Sequence, residues 1–438
     1  MVDRRLFGTD GVRGRANFDL TAEIAFGLAA AAGEEGDGPV VIGRDTRRSG
    51  PMLAAALQAG FNSVGVDTVD LGIIPVGAVS RLTRDTGATF GVMISASHNP
   101  AEDNGIKFFG RDGSKLSDER EAALEQRFHL GEPWERPDGP LVGMHTTMTD
   151  SLDRYVDYLM GMRQYSLRGI DLVLDCANGA AFRAAPRLFE AAGAGVDVIH
   201  ADPDGMNIND ASGATDVASL AEATKGRVGF AFDGDADRLI AVDEDGRTVN
   251  GDVLLAILAN HLKEQGRLKK DLVVATVMSN LGFHKAMKEI GVSVVETAVG
   301  DRYVLEKMRA TRAVLGGEQS GHIILEDRAT GDGVRSAHRI AEVIAATGRE
   351  LRDLRTIMND YPQVLVNVPV RDREQLPTAA VVWSAVKAAE NRLGDRGRVL
   401  VRASGTEQLV RVMAEAETQS MAEDVVADLA RLVEATLG

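Results

Sequence analysis

Val228-Gly229-Phe230-Ala231-Phe232-Asp233-Gly234-Asp235-Ala236-Asp237-Arg238 is an apolar run of strand length that stops in three carboxylates spaced two residues apart. A short run of β-branched and aromatic residues reads as a buried strand, and the aspartates form a loop at its carboxyl end. Three carboxylates this close repel one another and raise each other's pKa unless a cation neutralises them. Hard oxygen ligands suit Mg2+ or Ca2+. Glu244 falls at the twelfth position from Asp233, which invites an EF-hand reading, but the sixth position is Arg238 where that loop needs glycine. The flanks are also apolar strands rather than helices. A solvated acidic turn is the plain alternative; the buried strand leading into the loop favours a metal site.

The same order of elements occurs on either side. Pro39–Gly43 reads as a strand, Ser49 as the cap of a helix beginning near Pro51, and Phe90–Ile94 as a strand ending in Ser95-Ala96-Ser97-His98-Asn99-Pro100. Asp171–Leu174 and a helix near 182–192 precede the aspartate strand. Leu272–Thr276, a helix near 281–290 and the short strand Ala313–Leu315 lead into Gly316-Gly317-Glu318-Gln319-Ser320-Gly321-His322. Three units thus each close a strand in a polar loop, and in open α/β sheets ligand-binding loops gather at the carboxyl ends of strands. After Tyr361-Pro362 the pattern changes. Val364, Val366, Val368 and Val370 alternate with period two, a helix follows near 378–392, then strands at 398–402 and 410–413 and a helix near 420–436. The expected fold class is α/β: three similar α/β domains, 1–150, 151–254 and 255–362, and a smaller α+β domain, 363–438.

The 438 residues suit three or four domains. Apolar residues make up 44% and charged residues 26%, ordinary values for a chain with packed cores. A formal net charge of −16 disfavours general binding to nucleic acid or anionic membrane, although a few arginines focused in one place still bind a small anion. The single cysteine, Cys176, allows no internal disulfide and fits a reducing compartment. The opening Met1-Val2-Asp3-Arg4-Arg5-Leu6-Phe7-Gly8 lacks the apolar run of a signal peptide, and no stretch of eighteen uncharged apolar residues occurs. A cytoplasmic protein with no membrane span is expected.

The remaining polar loops each carry chemistry. Pro100 restricts Asn99 and stops the strand, so Ser97 sits on an exposed, rigid loop that suits a nucleophile or a phosphorylated residue. His98 is not expected to serve as its base, because adjacent side chains in an extended chain point apart. No Gly-x-Ser-x-Gly elbow is present, which argues against an acyl hydrolase. Lys107, beside Asn104-Gly105, either holds a phosphate or acts as acid or base. Glu318, Ser320 and His322 pack hydrogen-bonding side chains between glycines, as sugar hydroxyls require. Arg402-Ala403-Ser404-Gly405-Thr406-Glu407 joins two strands with a guanidinium, two hydroxyls and free backbone N–H groups, and Arg411 adds a second guanidinium: an anion nest. Gly8-Thr9-Asp10-Gly11-Val12-Arg13-Gly14 is punctuated by glycine but is not a P-loop.

Taken together and in order, these loops resemble the α-D-phosphohexomutase superfamily over the whole chain. Ser95–Pro100 resembles its phosphoserine loop, Asp233–Arg238 its metal loop, Gly317–His322 its sugar loop and Arg402–Glu407 its phosphate loop. Leu6–Asn17, Asn104–Phe109, Val277–Phe283, Val299–Val304 and Gln319 are similar to the superfamily's amino-sugar branch. Gln408, where proline is common, and His338 depart from the pattern.

The resemblance implies an isomerase, an intramolecular phosphotransferase that interconverts glucosamine 6-phosphate and glucosamine 1-phosphate on the way to UDP-N-acetylglucosamine, a cell-wall precursor. It implies phospho-Ser97 as the phosphoryl carrier, with one Mg2+ per subunit on Asp233, Asp235, Asp237 and an oxygen of that serine. A glucosamine 1,6-bisphosphate or similar sugar bisphosphate would be the activator. Arg13, Lys107 and Arg238 would steady the transferring group. Glu318 and Ser320 would read the sugar, and Arg402, Ser404, Gly405, Thr406 and Arg411 would grip the second phosphate. His322 or Lys107 would be the acid or base. The partner is a small phosphosugar, with a homodimer suggested. The rivals are a mutase for glucose or mannose phosphates, a non-catalytic phosphosugar sensor and a calcium module.

Overall fold

The computed structural model describes residues 6–8, 10–33, 36, 38–131, 134, 136–326, 329–404 and 407–438. The chain divides into two compact units, Met1–Met278 with Val292–Thr356, and Ser279–Gly291 with Ile357–Gly438.

Three sheets build the first unit. The first holds β1 (Phe7–Gly8), β2 (Gly11–Arg15), β3 (Val40–Arg44), β4 (Thr68–Ile73), β5 (Phe90–Ile94), β6 (Asp103–Gly110) and β7 (His145–Thr147) in the order β1-β2-β6-β5-β3-β4-β7. The second holds β8 (Asp171–Asp175), β9 (Gly195–Ile199), β10 (Val228–Phe232), β11 (Leu239–Val242) and β12 (Thr248–Val249) in the order β12-β11-β10-β8-β9. The third holds β13 (Leu272–Thr276), β14 (Ser293–Thr297), β15 (Leu315–Gly317) and β16 (Ile323–Leu325) in the order β14-β13-β15-β16.

The expected triplication is explicit in this topology. In every sheet the leading strand (β3, β8, β13) lies between two parallel partners, and the third strand (β5, β10, β15) turns back into an antiparallel fourth (β6, β11, β16). Each candidate loop occupies that parallel-to-antiparallel turn. Strands β5 and β10 are buried along their whole length, as continuous apolar runs covered on both faces should be. Phe230 stacks on Phe189 at 5.8 Å between ring centres under the second sheet. Among the described residues, no helix is long and apolar enough to cross a membrane.

Ser49 does not cap its helix. Its backbone is already helical (φ −76°, ψ −14°), so the hydroxyl is not aimed at the free N–H groups of Gly50–Ser63. It accepts a hydrogen bond from Asn104 Nδ2 at 2.9 Å instead.

The second unit carries β17 (Gln363–Pro369), β18 (Gly397–Ala403) and β19 (Leu409–Ala416) as an antiparallel sheet ordered β17-β19-β18. Its core joins Val368, Val401, Val410 and Val412 to Val382 and Val386 of helix Ala380–Leu393 and to Leu429 and Val433 of helix Gln419–Leu437. Helix Leu281–Glu289 belongs to this unit: the Leu281 N–H donates to Glu415 Oε2 at 2.7 Å, and Asn280 Nδ2 to the Tyr361 carbonyl at 2.9 Å.

His338 lies buried in helix Gly333–Thr347, edge-on to Phe189 and 4.0 Å from Glu342. Burial pushes its pKa down to about 4; Glu342 opposes this, and Arg339 and Arg163 add to it. Above pH ~6.5 the imidazole is neutral whether the chain is folded or not, so it has no effect. As pH falls from ~6.5 towards 4, the unfolded chain takes up a proton that the fold refuses, and stability declines by up to about 3 kcal/mol. Thermal melts at pH 7 and pH 5 should therefore lie closer together for His338→Phe than for the native chain.

Candidate active site

Strand β5 delivers Ser97 into the first unit with its side chain buried rather than exposed as expected, because the aspartate loop packs against it, and with its backbone at φ +52°. A non-glycine residue in that left-handed region is strained by about 1–3 kcal/mol, so its surroundings must over-determine it. Arg47 does so. Its guanidinium donates to the carbonyls of Ser97 (3.0 Å), Asn99 (2.8 Å), Asp103 (3.0 Å) and Pro100, and its Nε donates to Asp45 Oδ2 at 2.9 Å. Every N–H of a buried guanidinium is thereby used, which offsets a desolvation cost of several kcal/mol. Asp45 Oδ2 also accepts from Ser95 Oγ at 2.6 Å, and Ser95 Oγ accepts from the Ser97 N–H at 2.9 Å. Asn209 Nδ2 adds bonds to the carbonyls of Ser97 (2.9 Å) and Asn99 (3.2 Å). The left-handed residue also breaks the extended alternation expected here: His98 Nδ1 lies 3.4 Å from Ser97 Oγ.

Strand β10 brings Asp233, Asp235 and Asp237 to the same place. All three are buried, with one carboxylate oxygen from each inside a 4.8 Å cluster. Ser97 Oγ donates to Asp233 Oδ2. Gly234 permits the approach of the two loops, because a Cβ there would stand 2.4 Å from the Ser97 carbonyl. Burial, then Asp237 and Asp235, push Asp233 up to about 8. Asp235 Oδ1 and Asp237 Oδ1 are buried without a hydrogen bond. Crowded, desolvated carboxylates with orphaned oxygens fit a hard divalent cation, and the donor set is all oxygen.

Cations surround the triad. Lys107 Nζ is 2.8 Å from both Asp235 Oδ2 and Asp10 Oδ2, and 3.8 Å from Asp237 Oδ2. Burial alone would lower the lysine's pKa, but Asp10, Asp235 and Asp237 outweigh it and raise it. Arg13 pairs with the same Asp10. The Arg238 N–H donates to Asp233 Oδ1 at 3.2 Å, and its Nε lies 3.8 Å from Asp237 Oδ1.

The sugar-loop candidate is stitched to the aspartate loop by a β-bridge between Arg238 and His322 and by the Leu239 N–H bonding to the Gly321 carbonyl at 3.0 Å. Gly321 has φ +92°, and a Cβ there would lie 2.2 Å from the Leu239 carbonyl, so this contact needs glycine. His322 Nδ1 is 3.5 Å from Asp237 Oδ2, while Nε2 faces both the Gly331 N–H at 3.1 Å, from which it accepts in the neutral ring, and Asp301 Oδ2 at 3.4 Å, to which it donates in the protonated ring. Burial lowers the imidazole pKa, yet Asp301 and Asp237 prevail and raise it. Glu318, raised by burial, accepts from the Gly300 N–H at 3.1 Å; Ser320 is exposed on the same turn. The first unit thus gathers Ser97, the three aspartates, Arg238, Glu318, Ser320 and His322 on adjoining loops, with Lys107 on β6 and Arg13 on β2 beside them.

In the second unit, Arg402 on β18 stands directly opposite Arg411 on β19. Like charges across a strand pair repel; burial and Arg411 together lower the Arg402 pKa, and Arg411 Nε is buried without a hydrogen bond. Two guanidiniums forced together suit an anion between them. Ser404 flanks the pair, its carbonyl held by Arg373 Nη1 at 2.7 Å. Gly405 and Thr406 lie outside the described residues.

Sequence reasoning did not find Asp10, Asp45, Arg47, Lys115, Asn209 or Asp301. Asp45 and Arg47 sit directly after a buried strand, a position that flagged the other loops. The rest give no local signal, because burial of a charge depends on chain brought from afar.

Four segments match models of one family in succession: residues 4–133 match phosphoglucomutase/phosphomannomutase alpha/beta/alpha domain I, 153–246 domain II, 250–361 domain III, and 365–432 the C-terminal domain. The chain belongs to the phosphoglucomutase/phosphomannomutase family. A relative named phosphoglucosamine mutase from Streptomyces griseus is 51% identical over 99% of this chain and all of its own. One of the same name from Nocardioides is 52% identical over 99% of both chains. Among solved structures, a phosphoglucomutase/phosphomannomutase family protein from Burkholderia thailandensis superposes with a TM-score of 0.83 at 25% identity, covering all of this chain and 98% of that one. An Aspergillus fumigatus N-acetylphosphoglucosamine mutase, in complex with GlcNAc-6P and magnesium, shares the fold at TM-score 0.70 and 20% identity over 99% and 96% of the two chains.

Arg47→Met strips Asp45 of its counter-charge and frees the Ser97 loop, so a loss of about 3–5 kcal/mol is expected in denaturant melts of this family member. Arg47→Met with Asp45→Asn should lose less, because no buried carboxylate is left uncompensated.

Proposed function

We propose that the chain is a phosphoglucosamine mutase, interconverting glucosamine 6-phosphate and glucosamine 1-phosphate through phospho-Ser97 and a 1,6-bisphosphate. The observation that carries this is a buried serine hydroxyl hydrogen-bonded to one of three crowded, desolvated aspartates, in a chain about half identical to relatives of that name over their whole length. Four separate sheets, and family matches that break near the same places, support a division at 1–150, 151–254, 255–362 and 363–438.

In this reading the serine P–O bond breaks as a bond forms from phosphorus to the free sugar hydroxyl, whose proton passes to a base. The bisphosphate turns around, its other phosphoryl group returns to Ser97 Oγ, and the vacated sugar oxygen takes a proton back. Asp233, Asp235, Asp237 and an oxygen on Ser97 would hold one Mg2+ per subunit, which supplies a counter-charge at the transferring group. Lys107, kept charged by three carboxylates, Arg238 and Arg13 steady that group's oxygens. His322, whose pKa Asp301 and Asp237 raise against the effect of burial, exchanges the proton. Glu318 and Ser320 read hydroxyls, and Arg402, Ser404, Gly405, Thr406 and Arg411 hold the phosphate that is not reacting.

The first test is turnover of glucosamine 6-phosphate against glucose 1-phosphate, with Mg2+ and catalytic sugar bisphosphate and with Ser97→Ala alongside. Preference for the amino sugar, abolished in the variant, is expected. Preference for glucose 1-phosphate would move the chain to a neighbouring specificity, and full activity of Ser97→Ala would overturn the phosphoserine route. Separately, Mg2+ at about 100 times its Kd should stabilise the native chain by about 2.7 kcal/mol. Asp235→Asn should lose most of that gain in the same thermal melts.

A further inference from the structure

Six ionisable side chains close into a ring in the first unit. Lys107 Nζ lies 2.8 Å from Asp10 Oδ2, and Asp10 Oδ1 holds Lys115 Nζ. Lys115 Nζ is 2.5 Å from Asp301 Oδ2, and the same oxygen is 3.4 Å from His322 Nε2. His322 Nδ1 is 3.5 Å from Asp237 Oδ2, which is 3.8 Å from Lys107 Nζ and closes the circuit. Bases and carboxylates alternate all the way round. Asp10, Lys107 and Lys115 come from the first sheet's chain segment, Asp237 from the second, and Asp301 and His322 from the third.

Three members of this ring, Asp10, Lys115 and Asp301, have no part in the proposed reaction, yet they complete a path between Lys107 and His322, which do. The Lys115 side chain is only 7% exposed and pairs with Asp10 and Asp301, both ring members. A long, flexible ammonium is fixed in that way only where two carboxylates recover its lost hydration and rotamer freedom. Asp301 opens helix Asp301–Thr311, so its backbone is anchored, and the N–H of the preceding Gly300 binds Glu318 of the sugar loop.

We propose that Lys115 and Asp301 are positioning residues: through the ring they hold Lys107 and His322 in fixed register with each other, without touching the sugar. This deepens, and rests on, the mutase reading. Without Lys115, Asp10 and Asp301 lose their common counter-charge and repel. His322 then keeps only Asp237 and the Gly331 N–H, and Lys107 shares Asp10 with Arg13 alone. A displacement of about 1 Å at a reacting group costs up to about a hundredfold in rate.

The test is steady-state kinetics of Lys115→Met, Lys115→Arg, Asp301→Asn and the Lys115→Met/Asp301→Asn double variant on glucosamine phosphates, with melting curves and Ser97→Ala in parallel. Lys115→Met and Asp301→Asn should each lower kcat about tenfold or more, with KM within about twofold. The double variant should be no slower than the slower single, since both cut one circuit. Lys115→Arg should restore most of kcat; a cavity of about 200 Å3 beside Lys115, Asp301 and Thr330 leaves room for the longer fork. Raised KM at retained kcat would mean direct sugar contact and overturn the proposal, as would unchanged kcat or multiplicative losses. Should Lys115→Met not fold, the isosteric Asp301→Asn decides by the same criteria. Activity in Ser97→Ala sinks the mutase reading. An inactive Ser97→Ala beside fully active Lys115→Met and Asp301→Asn sinks the ring alone.

Discussion

Three carboxylates buried within 4.8 Å of one another are the constraint on which the first unit turns. Burial first, and then their mutual repulsion, push Asp233 up to about 8. Such a cluster persists only if the rest of the fold holds it together. Lys107, Arg238 and His322 bring positive charge or donors from three chain segments, and a divalent cation would complete the neutralisation. The glycines at 234 and 321 have the same origin: backbone must approach within contact distance for the Ser97 loop and the sugar loop to reach the aspartates.

The topology explains why three loops arrive together. Each of the first unit's three sheets runs parallel strands and then reverses, and the reversal is a turn whose side chains are not covered by a crossover helix. Placing the serine, the aspartates and the sugar-loop residues at that one turn of each sheet puts equivalent corners of three similar units side by side. The β-bridge from Arg238 to His322 then locks two of these corners as backbone, so the electrostatic partners do not depend on side-chain flexibility alone.

What could be read from the chain follows from how local each signal is. Strands such as Val228–Phe232 and the loops that end them are written in consecutive residues, so two strands of each unit, the threefold recurrence and the principal loops were legible, whereas the order of strands within each sheet was not. Ser49 was misread because capping depends on a backbone angle that composition does not fix. The direction of the His98 side chain was misread because Ser97 takes a left-handed turn that Arg47, fifty residues earlier, helps to make tolerable. Asp10, Lys115 and Asp301 were invisible for a related reason. Each is an ordinary surface-type residue by sequence and becomes a buried charge only when its partners arrive.

The two kinds of order in the site match two demands of the proposed chemistry. Phosphoryl transfer needs the donor fixed, and Ser97 is fixed by five guanidinium N–H groups, a buried serine–aspartate pair and Asn209. Reorientation of a bisphosphate needs the opposite at the sugar: contacts that can be given up and remade. Ser320 is exposed and Glu318 only partly buried, held by one backbone N–H. Binding free energy concentrated on phosphates rather than on hydroxyls lets the sugar turn without leaving, because the phosphate ends stay attracted while the contacts to the ring between them are released. The like-charged pair Arg402 and Arg411 fits that scheme, because a bound anion would relieve a repulsion that Glu407, 3.8 Å from Arg411, offsets only in part.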